Sequence, residues 1–322
     1  MKNLLRNKLA AKTLKQPTAL NNIFLSFMDE ESVQLPEIKM EGRSGCKLEV
    51  IKEGSHVVIK KYSSSITYNI RLLKQANKQH VFYNNLPENY IFSTAKVIET
   101  YSSENSLAWF SMPYLFSEKY SNYFEQASIV DLKNVLNHII EYFDFNIKNS
   151  VSKKIDDRII ASKIEELELK VAESITVANK DYFLYALQYL KANIPGMPLP
   201  IGTCHGDFTF SNILFGDNKI YLLDFLDSFI ESPLIDIVKI RQDTCFKWSI
   251  MLEKEMPSHK KNKLIQTFNY LDREIALYCA NQLGLSKWYN YLQVFNLLRI
   301  VPYLNNPGEI FFIEKSLRQI LQ

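Results

Sequence analysis

The chain has 322 residues, 47% apolar and 23% charged, with 20 Phe, 18 Tyr and only 9 Gly. That is a globular composition, long enough for a bilobal enzyme, and it excludes a disordered chain. A formal net charge of +3, with Lys and Arg interleaved among Asp and Glu, excludes a nucleic-acid footprint.

Residues 1–40 carry Lys2, Arg6, Lys8, Lys12 and Lys15 and a short apolar patch, Ile23, Phe24, Leu25 and Phe27, but no catalytic motif, and are expected to form a leading helical segment. Lys8 and Lys12 interrupt any secretory signal, and no apolar run reaches the length that spans a bilayer. Cys46, Cys204, Cys245 and Cys279 lack the spacing of zinc or redox sites. A cytoplasmic protein with reduced thiols and no membrane span is expected; the oligomeric state is not legible.

From Glu41 the texture changes. Gly42-Arg43-Ser44-Gly45 reads as a turn, and Lys47 to Ile51 and His56 to Lys61 read as two strands paired about Gly54-Ser55. On the second of these, Lys60 shares a face with Val58, and Lys61 with Val57 and Ile59. A helix follows from Ile66 to Leu86, stopped by Pro87, then strands over Ala95 to Tyr101 and Leu107 to Met112. This order predicts a small antiparallel sheet with one helix against it.

After Leu115 the pattern turns helical. Ile129, Leu132, Val135, Leu136, Ile139, Ile140 and Phe143 mark one helix face with a Ser128 to Asp131 cap signal, and further helices are expected over Ile155 to Ala172 and Lys180 to Ala192. Pro195, Gly196, Pro198 and Pro200 then break the chain. A β-rich lobe over residues 1–116 and a helical lobe over 117–322 is the expected organisation.

The segment from Cys204 to Phe225 carries the chemistry. His205-Gly206-Asp207 is followed by Asn212, an apolar strand, a polar turn, a second strand and Asp224-Phe225. Two strands about a turn return Asp224 to the end where Asp207 and Asn212 lie. Phosphoryl transfer needs cations on the phosphates and a carboxylate to orient the acceptor hydroxyl and take its proton. Asp and Asn side-chain oxygens suit magnesium, while a separate Asp faces the acceptor.

His205-Gly206-Asp207-x4-Asn212, then Asp224, then Pro233 and Asp236, resembles the aminoglycoside phosphotransferase and choline kinase-like branch of the protein-kinase fold. The resemblance implies an α+β bilobal fold, with a small antiparallel sheet in the N-lobe and a mainly helical C-lobe, and ATP and Mg2+ at the junction. It implies Asp207 as catalytic base, Asn212 and Asp224 as magnesium ligands, and His205 and Asp236 as braces. Val57-Val58-Ile59-Lys60 resembles the kinase strand whose lysine reaches the α and β phosphates, which selects Lys60 over Lys61 by the motif's register. Gly42 and Gly45 occupy the place of the glycine-rich loop, although an ordinary turn reads almost as well. Met112, Tyr114 and Leu115 resemble the hinge that meets adenine; Pro113 has no N–H, so Tyr114 and Leu115 would supply the backbone contacts.

One departure stands out: between Lys60 and Asn85 there is no acid to pair with the strand lysine. Gln79, in Gln79-His80-Val81-Phe82-Tyr83, sits where related small-molecule kinases often carry Glu, and its amide can accept a hydrogen bond from Lys60 but cannot form an ion pair. A pseudokinase acting as a binding module is therefore an alternative. A protein kinase acting on polypeptides is disfavoured, because Gly206 replaces the usual Arg and Asp236 follows too soon for an activation segment.

For the acceptor the chain is mixed: Asp227, Glu231 and Asp243 alternate with Lys239, Arg241 and Lys247. Either Lys239 pairs with Asp236 or Asp243 along a helix, or Asp227, Lys239, Arg241 and Trp248 face the cleft and suit a neutral or anionic small molecule. The expected function is a kinase acting on a hydroxyl of a sugar-like or amino-alcohol metabolite, with aminoglycoside antibiotics as the alternative acceptor.

Overall fold

The computed structural model describes residues 45–53, 56–174, 180–216, 218–253, 255–281, 286–304 and 306–321. The leading segment 1–40, Gly42 and the Gly54-Ser55 turn lie outside the described residues.

The β-branched strands pair as their alternation predicts. β1 (Lys47–Glu53) runs antiparallel to β2 (His56–Tyr62), with Val50 opposite Ile59. Ser65 accepts a hydrogen bond from the Tyr68 N–H at the entry to α1 (Asn69–Asn85), and Leu86, next to Pro87, is held extended, which ends the helix. Of the stretch expected as one strand over Ala95 to Tyr101, only β4 (Glu99–Tyr101) is strand, and it pairs with β5 (Trp109–Pro113); β3 (Phe92–Thr94), which the sequence reading did not predict, lies before it and joins a second sheet. The first sheet has the order β1-β2-β5-β4. Leu72 and Ala76 of α1 pack beneath it with Ala95, Val97, Ala108, Phe110 and Met112 in a small separate core.

Beyond β6 (Glu118–Lys119) the chain is largely helical: α2 (Tyr120–Gln126), α3 (Ile129–Lys148), α4 (Asp157–Glu173) and α5 (Lys180–Ala192). At the start of α3, Ser128 and Asp131 form a reciprocal capping box. β7 (Val151–Lys153) pairs with β8 (Leu199–Ile201), which delivers the chain to His205. β9 (Ile213–Phe215) and β10 (Ile220–Leu222) complete the second sheet, in the order β3-β10-β9-β6. Then come α6 (Pro233–Thr244), α7 (Trp248–Leu252), α8 (Ser258–Asn281), α9 (Ser286–Leu298) and α10 (Pro307–Leu321). Among the described residues no helix is long and apolar enough to cross a membrane.

α1 contributes to both cores, Leu72 and Ala76 to the small one and Phe82 to the large one, whose rings pack together. Phe82 of α1 packs 5.0 Å from the ring of Phe225, and Tyr142 of α3 lies 4.7 Å from Phe208. Burying a side chain such as Phe82 contributes about 1.5–3 kcal/mol, and here it docks α1 onto the segment that carries Asp224.

Candidate active site

The loop at 205–207 is held by a buried carboxylate. Asp236, in the first turn of α6, accepts the N–H of His205 at 2.6 Å, the N–H of Gly206 at 2.8 Å and the hydroxyl of Tyr142 at 2.9 Å. Burial pushes the Asp236 pKa up to about 6, against the pull of these donors. Gly206 has φ +87, and a Cβ there would stand 2.4 Å from the carbonyl oxygen of Leu226, so the close approach of the two loops requires glycine.

His205 joins the same two loops through its ring. Nδ1 accepts the N–H of Asp207 at 3.2 Å, so the proton sits on Nε2, which donates to Leu223 O at 2.7 Å. Burial lowers the ring's pKa to about 4, which keeps it neutral. Asp243 plays a parallel part further along α6: it accepts the N–H groups of Phe210 at 2.7 Å and Ser249 at 2.9 Å and holds the turn that leads to Asn212. Burial pushes its pKa up to about 6 as well.

Asp207 projects from this scaffold. Asn212 donates through Nδ2 to both Oδ2 and the backbone oxygen of Asp207, each at 2.9 Å. Lys239 Nζ lies 3.0 Å from Asp207 Oδ1. Burial acts to raise the Asp207 pKa, but the Lys239 charge and its hydrogen bond outweigh it, and the carboxyl stays below its ordinary value. Asp224 has a left-handed backbone, φ 59, and its half-exposed carboxylate lies 2.8 Å from Lys61 Nζ. Burial opposes the Lys61 charge; Asp224 more than offsets this, and the lysine pKa is raised.

The lysine that meets Asp224 is therefore Lys61 and not Lys60. Lys61 shares its strand face with Ile59, which packs on the small core beneath the sheet, whereas Lys60 points the other way and its Nζ lies 4.5 Å from the Trp109 ring centroid. Gln79 does not meet either lysine. Its amide is buried and donates to Ala95 O at 2.7 Å and to Met112 Sδ at 3.5 Å, so it ties α1 to the sheet. Glutamate at 79, the residue that related small-molecule kinases often carry, would replace this donor with a carboxylate aimed at a carbonyl. Gln79→Glu is thus expected to destabilise the fold by about 1–3 kcal/mol, measured as a lower midpoint in urea unfolding.

At the hinge, the Tyr114 N–H donates to Val57 O at 2.9 Å. It is consumed by the chain itself, and the Leu115 N–H has no such bond among the described residues. Gly45, with φ +68, stands at the entry to β1.

The four residues named for the acceptor separate. Lys239 meets Asp207 and pairs with neither Asp236 nor Asp243. Arg241 faces α8, its Nε 2.8 Å from Asp272 Oδ1 and its guanidinium 5.9 Å from the Tyr289 ring centroid. Trp248 is buried against Phe312, at 5.7 Å between rings. Helical periodicity turns both side chains into the C-terminal core and not toward Asp207. Asp227 faces α1, where Arg71 Nε lies 3.0 Å from its Oδ1.

Sequence reading missed the basic face of α1. Arg71 and Lys78, seven residues apart, share one side of the helix and reach across to Asp227 and Glu231, with Lys78 Nζ 2.5 Å from Glu231 Oε2 and 2.7 Å from Leu226 O. The signal was present: a helix without acids carries cations at a two-turn spacing, opposite acids four residues apart.

The comparisons agree with this architecture. The model of the phosphotransferase enzyme family, APH, matches residues 47–256. No curated protein sequence matches the chain. Among solved structures, a thermostable mutant of aminoglycoside phosphotransferase APH(4)-Ia, in a ternary complex with ADP and hygromycin B, is 13% identical over 94% of this chain and 98% of its own, with a TM-score of 0.57. A fructosamine-3-kinase assignment from Haemophilus somnus 129PT is 13% identical over 88% and 90%, with a TM-score of 0.54. A glucosamine kinase in complex with glucosamine, ADP and inorganic phosphate is 12% identical over 85% and 80%, with a TM-score of 0.51. The likeness in structure is one of fold, α+β and protein-kinase-like. With the family match spanning most of the described chain, the conclusion is that this protein belongs to the phosphotransferase enzyme family.

Proposed function

We propose that the chain uses ATP and magnesium to phosphorylate a hydroxyl of a sugar-like or amino-alcohol metabolite. The observation that carries this reading is the division of labour around the 205–224 loops: one carboxylate, Asp207, is held below its ordinary pKa beside Lys239, a second, Asp224, pairs with Lys61, and Asn212 binds Asp207 through its amide N–H groups. The solved neighbours bound to ADP add support for the nucleotide.

The donor set fits magnesium. Asn212 spends its amide hydrogens on Asp207, which leaves Oδ1 as the acceptor on the other side of the amide, and the half-exposed Asp224 carboxylate offers a second hard oxygen. Magnesium held there would neutralise charge on the phosphate oxygens. Lys61 would release Asp224 and take the α and β phosphates, and the Leu115 N–H, which makes no backbone bond among the described residues, and Met112 would meet adenine between the two lobes. Asp207 takes the proton of the acceptor hydroxyl. The four free cysteines suit a reducing cytoplasmic setting.

The test is ADP release across a panel of sugars, amino alcohols and aminoglycosides, with and without magnesium, alongside calorimetry of ADP binding. Release is expected only with magnesium, and Asp224→Ala is expected to abolish the magnesium dependence of ADP binding. Wild-type protein that binds no nucleotide, or binds it indifferently to magnesium and to Asp224→Ala, would remove the proposal.

A further inference from the structure

Asp224 and the two residues after it are each held from outside their own loop. Asp224 keeps a left-handed backbone, φ 59, and meets Lys61. The Phe225 ring lies 5.0 Å from Phe82 of α1 and 4.3 Å from the His205 ring. The Leu226 N–H donates to His205 O at 3.0 Å, and the Leu226 carbonyl oxygen accepts Lys78 Nζ at 2.7 Å. A residue other than glycine at such a φ is kept there by its surroundings. Lys78 and Phe82, one turn apart on the same face of α1, supply two of those holds.

Lys78 does more than form one ion pair. Its ammonium has three N–H groups, and three partners stand around it: Leu226 O, Glu231 Oε2 at 2.5 Å and Cys204 Sγ at 3.6 Å. Cys204 directly precedes His205, and its thiol donates to the same Glu231 oxygen at 3.1 Å. Glu231 accepts the Ser228 N–H through Oε1 at 2.9 Å, and its backbone oxygen accepts the Gly202 N–H at 3.0 Å. One side chain of α1 thus touches the chain before the 205–207 loop, the chain after Asp224, and the residue ahead of the Ser232 cap of α6. The Lys78 side chain is only 17% exposed. Burying an ammonium costs free energy that an apolar side chain at the same place would not, so packing alone does not account for the charge. Arg71 and Asp227 are 42% and 38% exposed, where an ion pair contributes little.

Resting on the phosphotransfer reading above, we propose that Lys78 is a positioning residue for Asp224: from α1 it fixes Leu226 and Glu231, and so sets the backbone that presents the Asp224 carboxylate. Its partners among the described residues are Leu226, Glu231 and Cys204, so its effect reaches Asp224 through residues 225 and 226. The helix of the N-lobe is in this way tied to the metal-binding segment without a helix glutamate.

The experiment reads nucleotide binding by the full chain and needs no acceptor. ADP affinity is measured by calorimetry with and without magnesium for wild type, Lys78→Met, Asp224→Ala and the double variant, with the urea midpoint of each. Lys78→Met is expected to weaken ADP binding in magnesium about ten-fold and to leave metal-free binding within about two-fold. In the Asp224→Ala background the same substitution is expected to change neither, because the group it orients is gone. A purely structural role would lower the urea midpoint without this dependence on magnesium and on Asp224. Lys78→Arg, which keeps charged donors for Leu226 O and Glu231, is expected to recover part of the affinity, and Lys74→Met, exposed on the same helix, to bind as wild type. Should Lys78→Met not fold, Glu231→Gln removes the charge of the partner while keeping an acceptor for the Ser228 N–H. It is expected to weaken the magnesium-dependent binding about three-fold or more. Equal losses with and without magnesium, losses undiminished in Asp224→Ala, or unchanged affinity in whichever of Lys78→Met and Glu231→Gln folds overturn the proposal. Wild-type ADP binding that ignores magnesium would remove the phosphotransfer reading and this one together, whereas normal magnesium dependence with a silent Lys78→Met removes this one alone.

Discussion

Asp207→Asn is expected to lower kcat by about 10²–10⁴-fold, the range for loss of a positioned general base, while ADP–magnesium binding stays close to wild type. The geometry separates the two quantities. Asp207 is engaged by Lys239 and Asn212, whereas Asp224 pairs with Lys61, and the proposed roles put the Asp207 carboxylate on the acceptor side. An amide at 207 keeps the shape and one acceptor oxygen but cannot take the hydroxyl proton. Lys239 would also lose its counter-ion, so some loss of stability is expected, and the urea midpoint of the variant should be recorded beside its kinetics. Near-normal kcat with an acceptor that the wild type turns over would remove Asp207 as the base.

Lys61→Ala is expected to cost about 1.5–3 kcal/mol in nucleotide-dependent kcat/KM, the scale for losing a hydrogen bond to a charged group. At 1.4 kcal/mol per decade that is about ten- to a hundred-fold. Lys60→Ala is expected to cost only the loss of a cation–π contact with Trp109, about 0.5–1 kcal/mol of stability at an exposed site, with turnover unchanged. The pair of variants distinguishes adjacent residues of identical chemistry by direction alone. Lys61 Nζ is buried against Asp224, and Lys60 Nζ lies over an indole on the opposite face of β2. Because the Asp224 carboxylate is half-exposed, removing Lys61 leaves it hydrated, and the Lys61→Ala protein is expected to fold. Equal effects from the two substitutions, or a larger one from Lys60→Ala, would reverse the assignment.

The missing helix glutamate reads differently once these contacts are known. Lys61 finds its carboxylate in Asp224, and α1 spends its polar face on the opposite polarity: Arg71 and Lys78 reach acids in the segment after Asp224. A helix so occupied has no need of an acid at 79, and Gln79 serves as a buried clip to Ala95 O.

What the sequence determined by itself is whatever depends on short-range order. The spacing of His205, Asp207 and Asn212 and the return of Asp224 across β9 and β10 are properties of one continuous segment of chain, and the local turn and strand chemistry suffices to bring them together. The Ser128–Asp131 cap and the stop at Pro87 are local in the same way. Only the tertiary structure decided what depends on which face an element turns to the rest of the molecule. A one-residue change of strand parity exchanges Lys60 for Lys61, because successive side chains point to opposite faces and the choice is made by where α1 and the small core lie. Helix rotation likewise sends Arg241 and Trp248 into the C-terminal core and Lys239 to Asp207, although all three lie within ten residues.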